Sequence, residues 1–249
     1  MDVPHLPPPA ELLEGAALFL DFDGTLVELA DAPDEISIPG DLHPLLERLV
    51  ERLGGRVAIV SGRSIADLER HLGSVQLALS GSHGLELRFP DGTGIAVSAP
   101  GELADAQRQI AAFAAERDGL LVEEKPAGIA LHYRQAPREA GKVAALMEGL
   151  ADELGLEVQH GKMVAELRPG GADKGDALRA LMREPPFTGA RPVFVGDDLT
   201  DEHAFGAAAE LGGAGILVGP PRPSTARWRL DDVAAVAAWL RNAAEGPHG

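Results

Sequence analysis

The stretch LFLDFDGTLVE, residues 18–28, places two aspartates, Asp21 and Asp23, at the end of an apolar run. The run predicts a buried β-strand, and Gly24 lies where that strand ends. Two carboxylates at the end of a buried strand are unfavourable unless a cation or a reaction requires them. The pair therefore indicates a functional site at the carboxyl end of this strand.

Strands and helices alternate on both sides of this stretch. In residues 41–53, leucines and a valine recur with helical spacing, which predicts an amphipathic helix. This alternation predicts an α/β fold, with a doubly wound parallel sheet built from βαβ units. The other predicted core elements are strands at 56–60, 76–80, 192–196 and 215–219, and helices at 65–72, 174–183, 231–243 and from about residue 201.

The middle of the chain has a different pattern. Six short strand-like segments, several of them with alternating hydrophobicity, are interrupted by helical stretches at about 102–117 and 138–154. Such a pattern is typical of an antiparallel sheet with one exposed face, so we predict an α+β domain inserted into the core. The predicted units are the core, residues 14–86 and 170–245, the inserted domain, residues 87–169, and a flexible proline-rich arm, residues 1–13.

Composition argues against several classes of function. The formal net charge is −17 and the basic residues are scattered, which disfavours nucleic-acid binding. The absence of cysteine excludes disulfides, thiolate catalysis and Cys-ligated zinc. Neither a signal-peptide pattern nor an apolar run of membrane length is present, so we expect a cytoplasmic protein without membrane contacts. We also expect a monomer, and a phosphate site in so negative a protein would need a local cation.

A second acidic cluster follows another predicted strand. In PVFVGDDLTDE, residues 192–202, three aspartates (Asp197, Asp198 and Asp201) come soon after the apolar strand. Because ligands of open α/β sheets bind at the carboxyl ends of strands, the two clusters converge if the strands are neighbours. Converging carboxylates need a counter-ion, and a hard divalent cation such as Mg²⁺ suits oxygen ligands. The alternative is two unrelated acidic turns, since Asp is common at such positions.

Two further segments carry groups that suit a phosphate. VSGR, residues 60–63, leads from a strand into a small-residue turn, where the Ser61 hydroxyl and backbone N–H groups suit an anion. Lys174 lies at the start of a predicted helix after a glycine-containing turn, and it supplies the local cation. The glycine patterns of a P-loop and of a dinucleotide-binding fold are both absent from the sequence.

In chain order, DFDGT, VSGR, DKGDAL and GDDLTDE resemble the four motifs of haloacid-dehalogenase-type phosphatases. The resemblance implies that Asp21 is a nucleophile that forms an aspartyl-phosphate, and that Asp23 is the general acid and base. Ser61 and Lys174 would stabilise charge on the transferred phosphoryl group. The implied Mg²⁺ ligands are Asp21, the backbone carbonyl of Asp23 and Asp197, assisted by Asp198 or Asp201.

The inserted domain has polar residues that alternate along its predicted strands. In KMVAELR, residues 162–168, Lys162 and Glu166 are predicted to share a face, as are Glu123 and Lys125 in LVEEK. Such faces are typical of a solvated sheet with cross-strand ion pairs. They also suit the hydroxyl groups of a sugar, which need both donors and acceptors.

A closer resemblance is to trehalose-6-phosphate phosphatases, over about residues 16–240. It rests on SHGLE (82–86), VEEK (122–125), HYR (132–134), GKMVAELRP (161–169) and GDDLTDEHAF (196–205). The resemblance implies that the inserted domain is a mobile α+β cap of the C2 type that grips the disaccharide. It implies sugar contacts from Glu123, Lys125, Lys162 and Glu166, with Gly62, Arg63 and Gly84 near the substrate.

The function expected from these features is Mg²⁺-dependent hydrolysis of trehalose 6-phosphate to trehalose and inorganic phosphate. Phosphatases acting on sucrose 6-phosphate, or on glucosyl- or mannosyl-3-phosphoglycerate, are alternatives in the same reaction class. A sugar-phosphate-binding module without catalysis is disfavoured because all the catalytic residues of the motifs are present. A structural partner protein would instead expose an apolar patch.

Overall fold

The computed structural model describes residues 6–29, 36–73, 75–96, 101–125, 128–170 and 172–245. The chain forms two compact units, the larger from residues 1–95 and 172–249 and the smaller from residues 96–171. The second division lies close to the predicted boundary at 169/170. The first lies at 95/96 and so differs from the predicted boundary at 86/87.

The elements alternate as the sequence predicts, although β12 corresponds to no predicted strand. The strands are β1 (Ala16–Leu20), β2 (Val57–Val60), β3 (Ala78–Gly81), β4 (Glu86–Arg88), β5 (Gly94–Ala96), β6 (Leu121–Lys125), β7 (Gly128–His132), β8 (Glu157–Gly161), β9 (Val164–Arg168), β10 (Arg191–Gly196), β11 (Ala214–Val218) and β12 (Trp228–Leu230). The helices are α1 (Leu42–Arg52), α2 (Ile65–Leu72), α3 (Gly101–Ala115), α4 (Ala140–Leu154), α5 (Lys174–Met182), α6 (Asp201–Glu210) and α7 (Val233–Glu245).

The larger unit is built on an eight-stranded sheet in the order β12-β11-β10-β1-β2-β3-β4-β5. The strands from β12 to β3 are parallel. All five residues of β1 are buried, because Leu18 packs in one apolar cluster with α1 and α7 while Phe19 packs in another with α5 and α6. Helices therefore cover both faces of the sheet, and the predicted doubly wound α/β core is confirmed.

The sequence pattern grouped LELRF and GIAVS with the strands of the inserted domain, but that assignment is wrong. Both segments contribute strands, β4 and β5, to the large sheet. A 3₁₀ turn, Ser82–Gly84, reverses the chain after β3, so that β4 pairs with β3 in antiparallel orientation with Leu79 beside Arg88. Alternating hydrophobicity fits an antiparallel edge strand of either sheet and cannot distinguish them. Residues 97–98, the end of GIAVS, lie outside the described residues.

The described part of the N-terminal arm packs against the rest of the larger unit. Leu6 forms a β-bridge to Trp228 of β12, and its carbonyl accepts a hydrogen bond from the Arg229 N–H at 3.0 Å. Ala10–Leu13 forms a 3₁₀ helix in which Leu13 is buried. Leu6 thus pairs with β12 and Leu13 packs in an apolar cluster of the core, while the flexibility expected of the arm stays a prediction. Residues 1–5 lie outside the described part of the chain.

The smaller unit contains a four-stranded antiparallel sheet in the order β6-β7-β9-β8. One face packs against α3 and α4 in an apolar core that includes Ile110, Leu131, Met147 and Leu167. The other face carries polar side chains, because successive residues of a strand alternate between faces. The predicted α+β character is confirmed. Over the described residues of both units, no helix has the length and apolar character needed to cross a membrane.

Candidate active site

The carboxylates of Asp21, Asp197 and Asp201 converge at the carboxyl edge of the large sheet. β1 lies beside β10 with Leu20 opposite Val195, so the residues that follow the two strands are neighbours. The Asp21 N–H donates to the Val195 carbonyl at 2.9 Å. One oxygen from each carboxylate lies within 4.8 Å of the others, which is close enough to share a metal ion. Two unrelated acidic turns would not meet in this way.

Lys174 is the buried cation of this cluster. Its Nζ donates to Asp21 Oδ1 at 2.8 Å and to Asp201 Oδ1 at 2.7 Å, and its side chain is 3% exposed. It is the first residue of α5, whose N-cap Asp173 accepts a hydrogen bond from the Asp176 N–H and so fixes the helix start. Burial lowers the pKa of Lys174, but the carboxylates of Asp201 and Asp21 outweigh burial and raise it well above its usual value. The side chain therefore stays charged.

Negative charge remains in excess around Lys174. Burial, reinforced by neighbouring carboxylates, raises the pKa of Asp21 to about 8 and the pKa of Asp197 to about 7. One ammonium group does not balance three carboxylates, so the cluster favours bound protons or a further cation. Asp197 Oδ1 is buried without a hydrogen-bond partner among the described residues, as expected for an oxygen that binds a metal. The residues present therefore fit a divalent cation with oxygen ligands.

Asp198 does not join the three converging carboxylates. Its Oδ1 accepts hydrogen bonds from the Thr200 N–H at 2.8 Å, the Thr200 hydroxyl at 2.6 Å and the Asp201 N–H at 3.2 Å. Burial raises the pKa of Asp198, but Lys174 and the Thr200 hydrogen bonds outweigh it and hold the pKa below its usual value. Of the two predicted assisting residues, the structure brings Asp201 into the cluster, whereas Asp198 shapes the turn before α6.

The Asp23 carboxylate pairs with Arg63. Arg63 Nε donates to Asp23 Oδ2 at 2.7 Å and Nη2 donates to Asp23 Oδ1 at 2.8 Å, which is a bidentate arrangement. Arg63 Nη1 donates to Asp67 Oδ2 at 2.6 Å, so the guanidinium is held from both sides. Sequence reasoning missed Asp67, although its position four residues after Arg63 at a predicted helix start was a usable signal. The arrangement fixes the orientation of the predicted general acid.

The turn after β2 lies next to this ion pair. Ser61 is buried, its Oγ accepts a hydrogen bond from the Arg63 N–H at 3.1 Å, and its carbonyl accepts one from the His83 N–H at 3.0 Å. Gly62 packs against the His83 imidazole, and Gly84 lies against the backbone that precedes α5. The residues of the larger unit that were predicted to lie near the substrate therefore form one continuous group with Ser61.

The packing of the acidic cluster requires glycine at position 24. Gly24 has a φ of +76°, and a Cβ built on it would lie 2.3 Å from Asp197 Oδ2. We expect Gly24→Ala to lower the free energy of unfolding by at least about 1 kcal/mol more than Gly189→Ala, as measured by urea denaturation. Gly189 is the matched control, because its φ is +81° and no described atom lies within 4 Å of the added Cβ. Equal losses in the two variants would contradict a role for this contact.

In the smaller unit, Glu123, Lys125 and Glu166 lie on the polar face of the sheet. Ala130 of β7 is opposite both Glu123 and Glu166, so the three strands bring these side chains to one face. Lys125 Nζ donates to Glu166 Oε2 at 2.5 Å, and His132 Nε2 lies 2.8 Å from Glu123 Oε2. The face therefore combines carboxylate acceptors with a cation.

Lys162 does not continue this face, and that part of the strand prediction is wrong. β9 begins at Val164, and Lys162 and Met163 form the two-residue turn of the β8–β9 hairpin, where Gly161 pairs with Val164. Met163 has a φ of +65°, so the alternation of faces stops at the turn. Lys162 therefore lies at the tip of the hairpin, away from the strand position that would place it in line with Glu166.

The fold is that of the haloacid-dehalogenase-like hydrolases. The probable trehalose-phosphate phosphatase of Sinorhizobium fredii is 41% identical over 218 residues, which cover 86% of this chain and 81% of that protein. The trehalose-6-phosphate phosphatase of Escherichia coli is 37% identical over 232 residues, 92% of this chain and 87% of that protein. A crystal structure of a trehalose-6-phosphate phosphatase related protein superposes with a TM-score of 0.78 at 28% identity, covering 92% of this chain and 96% of that one. The trehalose-phosphatase family model matches residues 19–234, and the chain belongs to this family.

Proposed function

We propose that this protein hydrolyses trehalose 6-phosphate to trehalose and inorganic phosphate through an aspartyl-phosphate on Asp21. The observation that carries the proposal is the buried contact between Asp21 and Lys174, beside Asp197 and Asp201, in a chain of the trehalose-phosphatase family. A carboxylate held at 2.8 Å by a buried ammonium group is fixed in position for attack on phosphorus.

Mg²⁺ is the cofactor that we propose, with Asp21, Asp197, Asp201 and the backbone carbonyl of Asp23 as the groups that would hold it. When bound, Mg²⁺ would neutralise charge on the phosphoryl oxygens and on the carboxylates. This choice is supported by the oxygen-only donor set and by Asp197 Oδ1, which has no hydrogen-bond partner in the described part of the chain. It also meets the need for local positive charge in a protein of net charge −17.

The reaction needs two proton transfers, and we assign both to Asp23. Asp21 attacks phosphorus, the bond from phosphorus to the sugar oxygen breaks, and protonated Asp23 donates its proton to that oxygen. Asp23 then accepts a proton from the water that attacks the aspartyl-phosphate and releases inorganic phosphate. The bidentate pair with Arg63 orients Asp23 as a carboxylate, so one of its two hydrogen bonds is released when Asp23 carries the proton, while Ser61 and Lys174 stabilise charge on the phosphoryl group.

We propose that the polar face of the smaller unit recognises the sugar. Carboxylate and ammonium groups together match hydroxyl donors and acceptors, and Glu123, Lys125 and Glu166 supply both kinds. Lys162, at the hairpin tip, is a further proposed contact. On the larger unit, the proposed contacts are Gly62, Arg63 and Gly84.

Glu123→Gln is expected to raise the KM for trehalose 6-phosphate by about 10-fold or more, because a hydrogen bond to a charged group contributes about 1.5–3 kcal/mol. The kcat/KM for a small aryl phosphate, which lacks the sugar, should not change. Glu124→Gln is the matched control, because Glu124 is the next residue of β6 and so lies on the opposite face of the sheet. Equal KM changes in both variants would remove Glu123 from the sugar site.

The proposed function is tested by phosphate release in Mg²⁺ from a panel of phosphate monoesters. The panel comprises trehalose 6-phosphate, sucrose 6-phosphate, glucose 6-phosphate, glucosyl-3-phosphoglycerate, mannosyl-3-phosphoglycerate and an aryl phosphate. We expect a strong preference for trehalose 6-phosphate, with activity lost in EDTA and restored by excess Mg²⁺. Preference for another sugar phosphate would overturn the substrate and keep the reaction class. No release from any of them, with binding retained, would favour a binding module.

A further inference from the structure

Arg222 connects α6 to the backbone of residues 197–198, which we call the acidic loop. Its Nη2 donates to the Asp198 carbonyl at 2.7 Å and lies 3.5 Å from the Asp197 carbonyl. Its Nη1 pairs with Glu202 of α6, the residue after Asp201. A single guanidinium group therefore joins the segment that carries Asp197 to the helix that begins with Asp201.

Glu202, the side-chain partner of Arg222, is itself held in place. Glu202 Oε2 accepts hydrogen bonds from the Thr225 N–H at 2.8 Å and from the Thr225 hydroxyl at 2.9 Å. Arg222 Nη1 also donates to the Pro223 carbonyl at 3.3 Å. The segment between β11 and β12 is thus anchored to α6 by several hydrogen bonds, unlike an isolated surface ion pair, which contributes little.

Arg222 contacts the acidic loop through the backbone carbonyls of Asp197 and Asp198, and these contacts do not compete for the carboxylates of the cluster. A clamp of this kind fixes the backbone from which the Asp197 and Asp201 side chains extend. Groups that orient metal ligands in this way typically change metal affinity by about 10- to 100-fold when removed. We propose that Arg222 is a positioning residue for the divalent-cation site, acting through the loop at 197–198 and through Glu202. The inference rests on the cation of the proposed function and extends it to a residue outside the family motifs.

The test measures metal binding directly, without substrate. Isothermal titration with Mg²⁺, and titration with Mn²⁺ followed by electron paramagnetic resonance, give the dissociation constants of the wild type and its variants. Arg222→Ala should weaken metal binding by about 10-fold. The dissociation constant of Arg222→Lys should lie between those of the wild type and Arg222→Ala, because Lys keeps the charge but not the planar set of donors. Arg179→Ala is the matched control: Arg179 pairs with Glu210 of α6 at 2.8 Å, at the end of the helix remote from Asp201.

Kinetics supply a second readout that a general loss of stability would not produce. In Arg222→Ala, the Mg²⁺ concentration for half-maximal activity should rise by the same factor as the dissociation constant. The KM for trehalose 6-phosphate at saturating Mg²⁺ should change less than about twofold, since the variant retains the proposed sugar contacts.

Several outcomes would overturn the inference. These are an unchanged Mg²⁺ dissociation constant in Arg222→Ala, or an equal loss in Arg179→Ala. If Arg222→Ala does not fold, Thr225→Val is measured in its place. The Thr225 substitution removes only the hydroxyl group that anchors Glu202. It should weaken Mg²⁺ binding measurably, and no change would overturn the inference. If the wild type itself binds neither Mg²⁺ nor Mn²⁺, the proposed cofactor fails first and the inference fails with it.

Discussion

Asp21→Asn should reduce phosphate release from trehalose 6-phosphate by about 10³-fold or more, because an amide cannot form the aspartyl-phosphate. Asn has the same shape and keeps an oxygen that can accept the Lys174 hydrogen bond, which is 2.8 Å long in the native protein. Burial raises the pKa of Asp21 to about 8, so the folded protein already disfavours the charge that the substitution removes. The melting temperature without metal should therefore change little. Initial rates at saturating Mg²⁺ measure the effect.

Two further measurements separate loss of the nucleophile from other causes. Acid quenching during turnover, followed by mass spectrometry, should find phosphate on the peptide that contains Asp21 in the wild type and not in Asp21→Asn. Asp231→Asn is the control, because this carboxylate is 76% exposed and pairs with Arg229 away from the cluster. If purified Asp21→Asn keeps more than about a tenth of the wild-type rate, Asp21 is not the nucleophile.

The charged groups at the carboxyl edge of the large sheet could be predicted from the sequence, because each follows a recognisable local pattern. Asp21 and Asp197 each follow an apolar strand, and Lys174 follows a glycine-containing turn at a helix start. The step that the sequence left open was whether the two strands are neighbours, and the pairing of β1 with β10 confirms that they are. Once two parallel strands are adjacent, the groups at their carboxyl ends must lie close together.

Features that depend on long-range pairing could not be predicted in this way. Arg222 lies in a proline-rich segment without a recognisable pattern, and its partner carbonyl at Asp198 is distant in sequence. The bridge between Leu6 and Trp228 likewise joins the two ends of the chain. Lys162 was misplaced for a different reason. Its segment reads as one continuous strand, and Met163 adopts the left-handed conformation without being a glycine or an asparagine.

Lys174→Met should lower the free energy of unfolding by about 3–5 kcal/mol at neutral pH without metal, because it leaves buried carboxylates without their cation. Lys174 Nζ contacts both Asp21 and Asp201, and its side chain is 3% exposed, so water cannot replace it without rearrangement. Met has a similar length and removes only the charge and its hydrogen bonds. Urea denaturation in EDTA measures the loss. Lys142→Met is the control, because Lys142 is 63% exposed and lies in the smaller unit.

Instability caused by excess negative charge should respond to Mg²⁺. If excess negative charge causes the instability, saturating Mg²⁺ should restore more stability to Lys174→Met than it adds to the wild type. Removing one carboxylate in Lys174→Met/Asp201→Asn should also recover part of the lost stability. If Lys174→Met does not fold, the double variant tests whether excess negative charge causes the instability. Catalysis should not return in either case, since the ammonium group that stabilises the phosphoryl charge is missing. Loss of the same size in Lys174→Met with and without Mg²⁺, and no recovery in the double variant, would show that excess negative charge does not cause the instability and that the loss comes from the missing hydrogen bonds to Asp21 and Asp201.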